Sequence, residues 1–505
     1  MDAHLPPPAG SADATPAEAR DPPGFAAQVK SGVIWRSGSQ LIGQLIAWTS
    51  TFLVIRMLNP ADYGLVAMTG VVLTFLDLFK GWGFASSLVR DETTDRHKIG
   101  QAFAMLILMN GGLAAAQLAA APLAADYFHQ PIVADLLRVQ ALFYLANPFN
   151  ALGHALLARR LEFKRQSRID LIAAVLSAAT ALACALAGTG VWTLVAAPAM
   201  LWYARAIGYV AAARLWEIRP RFAFAGAGTM LRYGLAMIGV QACWFVQSQA
   251  DVFIGGRVLD PHRLGLYTTA LFVTQVLAAK FVPPLNEVAF AAYSRIQARP
   301  DMIQAAFLKS VRLIMLIALP FYFGLMVTAE PLVETILGWK WLEVAALVPI
   351  LAMAMPMMTL QILFAPASNA LGRPGLAVRT GLVGALLLPL GFAIGIQWGT
   401  QGLAWAWLGG MAVLLGATVG MSLPVIGIGR RALFLAVAPG LAASALMAGL
   451  VEAADTILPE IGAGARLAAL VAIGIAAYAG LLLAFARPIV DEVLGLVRPG
   501  RPATV

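Results

Sequence analysis

Fourteen apolar runs, each close to the length that crosses a bilayer as a helix, follow one another along almost the whole chain. They fall at 33–56, 65–88, 99–122, 132–158, 168–188, 191–214, 230–254, 264–290, 307–327, 342–366, 376–397, 402–424, 432–450 and 466–486. About 20 apolar residues, rising ~1.5 Å each, span a hydrocarbon core of roughly 30 Å. In lipid every backbone N–H and C=O needs a partner within the chain, so such runs fold as helices. Composition agrees: 60% of the 505 residues are hydrophobic, 12% are charged, and mean hydropathy is +0.78. The expected fold is an all-α integral membrane protein of about 14 transmembrane helices.

The charges orient it. Placing both termini in the cytoplasm puts most of the 35 Lys and Arg in cytoplasmic segments. The opposite loops and helix edges keep Arg56, Arg257, Arg263, Lys340 and Arg466, a strong positive-inside bias. The cluster Arg159, Arg160, Lys164, Arg165 and Arg168 then serves topology and anionic headgroups rather than nucleic acid. Residues 1–30 lack an apolar run and read as a disordered cytoplasmic tail, not a signal peptide. Cys184 and Cys243 sit in apolar runs and His4, His97, His129, His154 and His262 are scattered, so neither a disulfide nor a metal site is expected. No cofactor-binding or nucleophile motif appears and the loops are short, which leaves a transporter rather than an enzyme.

One pattern occurs twice. Arg56-Met57-Leu58-Asn59-Pro60 with Gly64-Leu65 recurs as Arg257-Val258-Leu259-Asp260-Pro261 with Gly265-Leu266. An even number of runs separates the copies, so both point the same way and the halves form a parallel repeat. Asn or Asp can cap the following helix, proline suits its first turn, and glycine permits close helix approach. The expected organisation is a tail at 1–30, lobes of six helices at 31–225 and 226–425, two further helices at 426–490, and a tail at 491–505.

Polar residues inside the runs are the candidate site. Lys80 and Lys280 each lie about 21–23 Å along the helix that follows their corner, at ~1.5 Å per residue. A lysine at that depth needs protein, water, an anion, or a snorkelling path. Arg36, Gln40, Gln44 and Thr51 share one helical face, as do Gln241, Trp244, Ser248 and Asp251. Asp77 is spaced to pair with Lys80, and Glu287 shares the face of Lys280. Arg205, beside Trp202 and Tyr203, and Arg138 are further candidates. Arg56 and Arg257 fit either interfacial anchors or contacts to a charged substrate at the outer mouth. Trp35 and Trp339-Lys340-Trp341 read as interfacial anchors.

Residues 56–65, Gln249-Ala250-Asp251 with Ile254-Gly255-Gly256-Arg257, Leu264-Gly265-Leu266-Tyr267 and Tyr293-Ser294-Arg295-Ile296-Gln297 together resemble the polysaccharide transporter branch of the multidrug/oligosaccharidyl-lipid/polysaccharide exporter superfamily. Within it the chain is most similar to Wzx-type exporters of the colanic-acid and capsule kind, often called lipopolysaccharide biosynthesis proteins. Asn369-Ala370-Leu371-Gly372-Arg373 resembles their connection between the tenth and eleventh spans, and the likeness covers residues 28–490. One departure is Val252, where the family pattern often has Asn after the Asp.

The resemblance implies a bacterial inner-membrane flippase that moves an undecaprenyl-pyrophosphate-linked oligosaccharide by alternating access. Its expected partners are that lipid, bilayer lipids and, as a candidate, the polysaccharide polymerase machinery. On this reading Lys80, Lys280, Arg36 and Arg205 offset pyrophosphate charge, Arg56 and Arg257 guide it outward, Gln44 and Gln241 add polar contacts, and Asp77, Asp251 or Glu287 accepts a coupling ion. No cofactor is expected. The alternatives are a lipid II flippase or a multidrug/cation antiporter of the same superfamily.

Overall fold

The computed structural model describes residues 25–79, 96–222, 227–297, 299–459, 461–485 and 487, and these are helical almost throughout. The first lobe comprises α1 (Phe25–Met57), α2 (Pro60–Asp77), α3 (Arg96–Phe128), α4 (Pro131–Ala141) continued by α5 (Phe143–Arg159), α6 (Phe163–Leu186) and α7 (Thr193–Ala213). The second comprises α8 (Ala227–Val258), α9 (Pro261–Arg295), α10 (Pro300–Val327), α11 (Val348–Ile362) continued by α12 (Phe364–Ala370), α13 (Gly375–Gly395) and α14 (Gly399–Ile426). Two last helices follow, α15 (Arg430–Ile457) and α16 (Ala463–Phe485).

The all-α, multi-pass expectation holds. Among the described residues 10 helical stretches are long and apolar enough to cross a membrane, and the stretch Gly375–Ile426 contains both α13 and α14. The continuous runs expected at 132–158 and 342–366 are broken. α4 passes to α5 through Leu142, and the second run enters α11 only at Val348. Before it lie a short helix, Ala329–Leu332, a π-helical turn, Val333–Leu337, and a 3₁₀ segment, Trp339–Ala346. α1 starts at Phe25, inside the stretch expected to be tail, because a helix satisfies its own backbone and can continue past the apolar run.

The repeated corners start α2 and α9. Each has its proline in the first turn, where the missing N–H leaves no bond unmade. Asp260 caps α9 as expected, accepting from the Arg263 N–H at 2.9 Å. At the first copy Asn59 and Asp62 form a capping box, in which the Asn59 N–H donates to the Asp62 carboxylate at 3.0 Å.

The buried side chains place the lobes relative to each other. One large core unites both, with Met68, Phe128, Tyr267, Tyr322, Trp341 and Trp407 from α2, α3, α9, α10, the 3₁₀ segment and α14. It lies at the end of the molecule that holds the corners. Towards the other end the cores separate. Phe103, Leu152 and Tyr209 pack within the first lobe, and Phe307, Phe364 and Leu423 within the second. α15 and α16 pack through Met447, Val451 and Leu470, and the Tyr478 hydroxyl donates to the Leu316 carbonyl of α10 at 2.8 Å. Arg466 holds Asp455 through bonds of 2.7 and 2.6 Å, tying the start of α16 to the end of α15.

Candidate functional site

The two corners meet each other. α2 and α9 cross so closely that a Cβ on Gly64 would collide with the Pro261 carbonyl, and one on Gly265 with the Pro60 carbonyl. The contacts around them also follow the repeat. Arg257, in the second lobe, donates to the Tyr127 carbonyl at the end of α3 at 3.1 Å and covers the Tyr127 ring at 4.9 Å. Tyr127 stacks on Phe253 with ring centroids 4.4 Å apart. Arg56, in the first lobe, lies against Gly338 of the second and shares a dent of about 380 Å³ with Glu334 and Lys340. Each corner arginine therefore touches the opposite lobe.

Trp341 corrects an expectation. It is fully buried, not an interfacial anchor, and its indole N–H donates to the Ile55 carbonyl at 2.8 Å while its ring meets Tyr63 edge-on. Lys340 reaches Asn59 Oδ1 at 3.4 Å. Only Trp339, 76% exposed, keeps the character expected of all three.

A cavity of about 660 Å³ lies within the first lobe between α1, α6 and α7. It gathers Gln40, Gln44 and Thr51 from the predicted polar face of α1, and Arg205 from α7. Arg205 is not a lone cation there. Its Nε is 3.0 Å from Asp170 Oδ1, and the Tyr209 hydroxyl donates to the same oxygen at 3.2 Å. Gln166 donates to the His154 carbonyl at 2.8 Å, fixing the end of the cavity nearest α5. Tyr203 is taken up structurally, its hydroxyl donating to the Leu142 carbonyl at 2.9 Å.

The second lobe has its own cavity of about 450 Å³, lined by Trp244, Gln247, Glu287, Asn369, Thr380 and Ser422 among others. Gln247 bridges α8 to α13 through the Gly381 carbonyl at 3.1 Å. Closer to the corner Asp251 is completely buried. Its Oδ2 accepts from the Tyr267 hydroxyl at 2.8 Å and the Trp407 indole at 3.1 Å, and that indole lies 2.8 Å from the Tyr267 oxygen. Three helices thus meet on one carboxylate.

Other predicted residues are dispersed. Lys80 and the Arg36 side chain lie outside the described residues. Lys280, Gln241 and Glu287 are exposed, and Glu287 lines the second cavity. Asp77 sits within electrostatic reach of Tyr144. Arg138 pairs with Asp135 at 2.7 Å on its own helix. Among the described residues no group of three metal-ligating side chains occurs. Asp170, Tyr127 and Trp407 were missed by sequence reasoning: Asp170 follows a basic cluster read as topology, and the other two carry no signal beyond aromatic character.

A profile of the family described as "Polysaccharide biosynthesis protein" matches residues 53–346. The succinoglycan biosynthesis transport protein ExoT of Rhizobium meliloti is 26% identical over 362 residues, covering 70% of this chain and 72% of its own. The lipopolysaccharide biosynthesis protein WzxC of Escherichia coli is 22% identical over 318 residues, covering 62% and 63%. Among solved structures, the lipid II flippase MurJ in its inward closed conformation superposes with a TM-score of 0.73 at 12% identity, over 90% of this chain and all of that one. That likeness establishes a shared two-lobed fold.

Proposed function

The chain belongs to the polysaccharide biosynthesis protein family, and from that membership we propose that it is an inner-membrane flippase carrying an undecaprenyl-pyrophosphate-linked oligosaccharide from the cytoplasmic to the periplasmic leaflet. The oligosaccharide would be a repeat unit for exopolysaccharide, capsule or O-antigen synthesis. The transport role is that carried in the name of ExoT. We assign 14 spans, two six-helix lobes at 31–225 and 226–425 with two helices at 426–490, and cytoplasmic termini, on the Lys and Arg distribution.

The observation that carries this reading is that, among the described residues, the large core shared by both lobes lies at the corner end while the cores towards the other end are separate. Two bodies joined at one end can exchange which end is joined by rocking, the motion expected of a transporter whose site lies between repeats. With the corners periplasmic, this structure is closed outward. The pyrophosphate is assigned to Lys280, Lys80 and Arg36, and the tail stays in lipid. Arg56 and Arg257 act in the outer closure, through which the head group leaves when the corners separate. Asp251 is the leading candidate for ion coupling, because it joins three helices of the second lobe.

The test is deletion of the gene followed by analysis of the lipid-linked glycans. Accumulation of one undecaprenyl-pyrophosphate glycan on the cytoplasmic side is expected. An unchanged lipid-linked pool would rule the assignment out.

A further inference from the structure

The first-lobe cavity follows α1 from Ser39 to Val54, which at ~1.5 Å per residue is about 22 Å. Its volume of about 660 Å³ falls in the roughly 300–1,000 Å³ range of small-ligand sites. Small residues shape its walls: Gly43, Ala47 and Ser50 on α1 face Ala174, Ala178 and Ala181 on α6. The result is a long slot with small residues facing each other over part of its length, and with Gln40 and Gln44 on α1 and Asp170 and Leu171 on α6 also lining it.

Its electrostatics select the occupant. Arg205 and Asp170 are 3.0 Å apart, so a phosphate group approaching the guanidinium meets a carboxylate beside it. A cation approaching the carboxylate meets the guanidinium. Hydroxyl groups, which both donate and accept, satisfy both partners of such a pair, and also the amides of Gln40 and Gln44. A lipid tail would leave the amides of Gln40 and Gln44 facing an alkyl chain and offer nothing to the Arg205–Asp170 pair. An uncharged, polyhydroxylated chain fits where an anion, a cation and an alkyl chain do not.

We propose that the slot between α1, α6 and α7 is the glycan subsite, in which neutral sugar rings lie along α1 with their hydroxyls bridging Asp170, Arg205 and Gln44. The proposal rests on the flippase reading and divides the substrate between two places: the sugars lie inside the first lobe and the pyrophosphate on basic groups outside this slot. Arg205 is thereby reassigned from pyrophosphate to sugar. Both observed contacts to Asp170 use Oδ1, and Oδ2 is the acceptor assigned to a sugar hydroxyl.

The test uses the purified full-length protein and two probes: the lipid-linked glycan that accumulates in the deletion strain, and undecaprenyl pyrophosphate without sugar. Wild-type protein is expected to bind the glycolipid more tightly than the bare lipid. Asp170→Asn and Gln44→Ala, which add no bulk, are expected to weaken glycolipid binding about tenfold each, the effect of one or two lost hydrogen bonds, with binding of the bare lipid unchanged. Ala178→Phe, which fills the slot, should do the same, and its melting temperature reports whether it folds. If the wild type binds the glycolipid and Asp170→Asn and Gln44→Ala bind both probes as the wild type does, or lose both equally, the slot is not the sugar site and the flippase reading stands. If no glycolipid accumulates, the flippase reading fails and the subsite falls with it.

Discussion

Gly64 and Gly265, equivalent positions of the two corner copies, lie against each other's helix with no room for a Cβ on either. The contact is backbone to backbone, so no side-chain rotation relieves an added methyl. Gly265→Ala is expected to cost about 1–3 kcal/mol as overpacking and to separate the corners. With Cys184 and Cys243 replaced by alanine, a cysteine at Leu58, 4% exposed in the wild type, should label faster in the Gly265→Ala protein. Unchanged labelling together with an unchanged melting temperature would show that the crossing is looser than described.

Trp341 and Trp339 are separated by one residue but differ in environment, which gives a second prediction. Trp341→Phe leaves the buried Ile55 carbonyl without its 2.8 Å donor, a loss of about 1–3 kcal/mol. Trp339→Phe, at an exposed position, should stay within about 0.5 kcal/mol. Thermal unfolding in detergent separates the two, and equal effects would contradict the buried lobe-to-lobe bond.

These two predictions show where the sequence was legible. Apolar run length and the Pro and Gly positions of the corner follow local rules, so the helices, the repeat and the close approach at glycine could be read directly. Which lobe a side chain touches depends on packing between residues far apart in the chain. Trp341 meets Ile55 and Arg257 meets Tyr127, and no spacing encodes either. The polar face of α1 was visible as a periodicity. Its partner Asp170 was not, because a carboxylate next to Arg165 and Arg168 looks like an ordinary charged helix end until α7 brings Arg205 to it.

Asp251 supplies a third prediction. Asparagine retains a carbonyl oxygen for the Tyr267 hydroxyl and the Trp407 indole, so Asp251→Asn should fold with a stability change of about 1 kcal/mol. Asp251→Leu leaves the buried Tyr267 hydroxyl without its acceptor, while the Trp407 indole keeps the Tyr267 oxygen at 2.8 Å, and about 1–3 kcal/mol should be lost. If Asp251 carries the coupling ion, Asp251→Asn proteoliposomes will move the glycolipid at a rate indifferent to an imposed proton or sodium gradient. A gradient response equal to that of the wild type removes Asp251 from the coupling role.

Lys280 allows the charge assignment to be tested without disturbing the fold. It is exposed, whereas its neighbours Ala278 and Val282 are buried on the opposite side of α9, so Lys280→Ala should change stability by no more than about 0.5 kcal/mol. A charge-assisted hydrogen bond to pyrophosphate contributes about 1.5–3 kcal/mol, which corresponds to roughly a ten- to hundredfold loss of translocation efficiency when it is removed. Lys280→Arg, which keeps the positive charge, should recover most of that loss, and Lys80→Ala is expected to behave as Lys280→Ala does. Arg257→Ala should differ in kind. It removes the bond and ring contact to Tyr127, so it should speed cysteine labelling at the corner while leaving the affinity for bare undecaprenyl pyrophosphate unchanged. Translocation assays in proteoliposomes, run beside binding of the sugar-free lipid, distinguish the two classes. Wild-type rates in Lys280→Ala, with the protein shown to be folded, would remove this lysine from the pyrophosphate path.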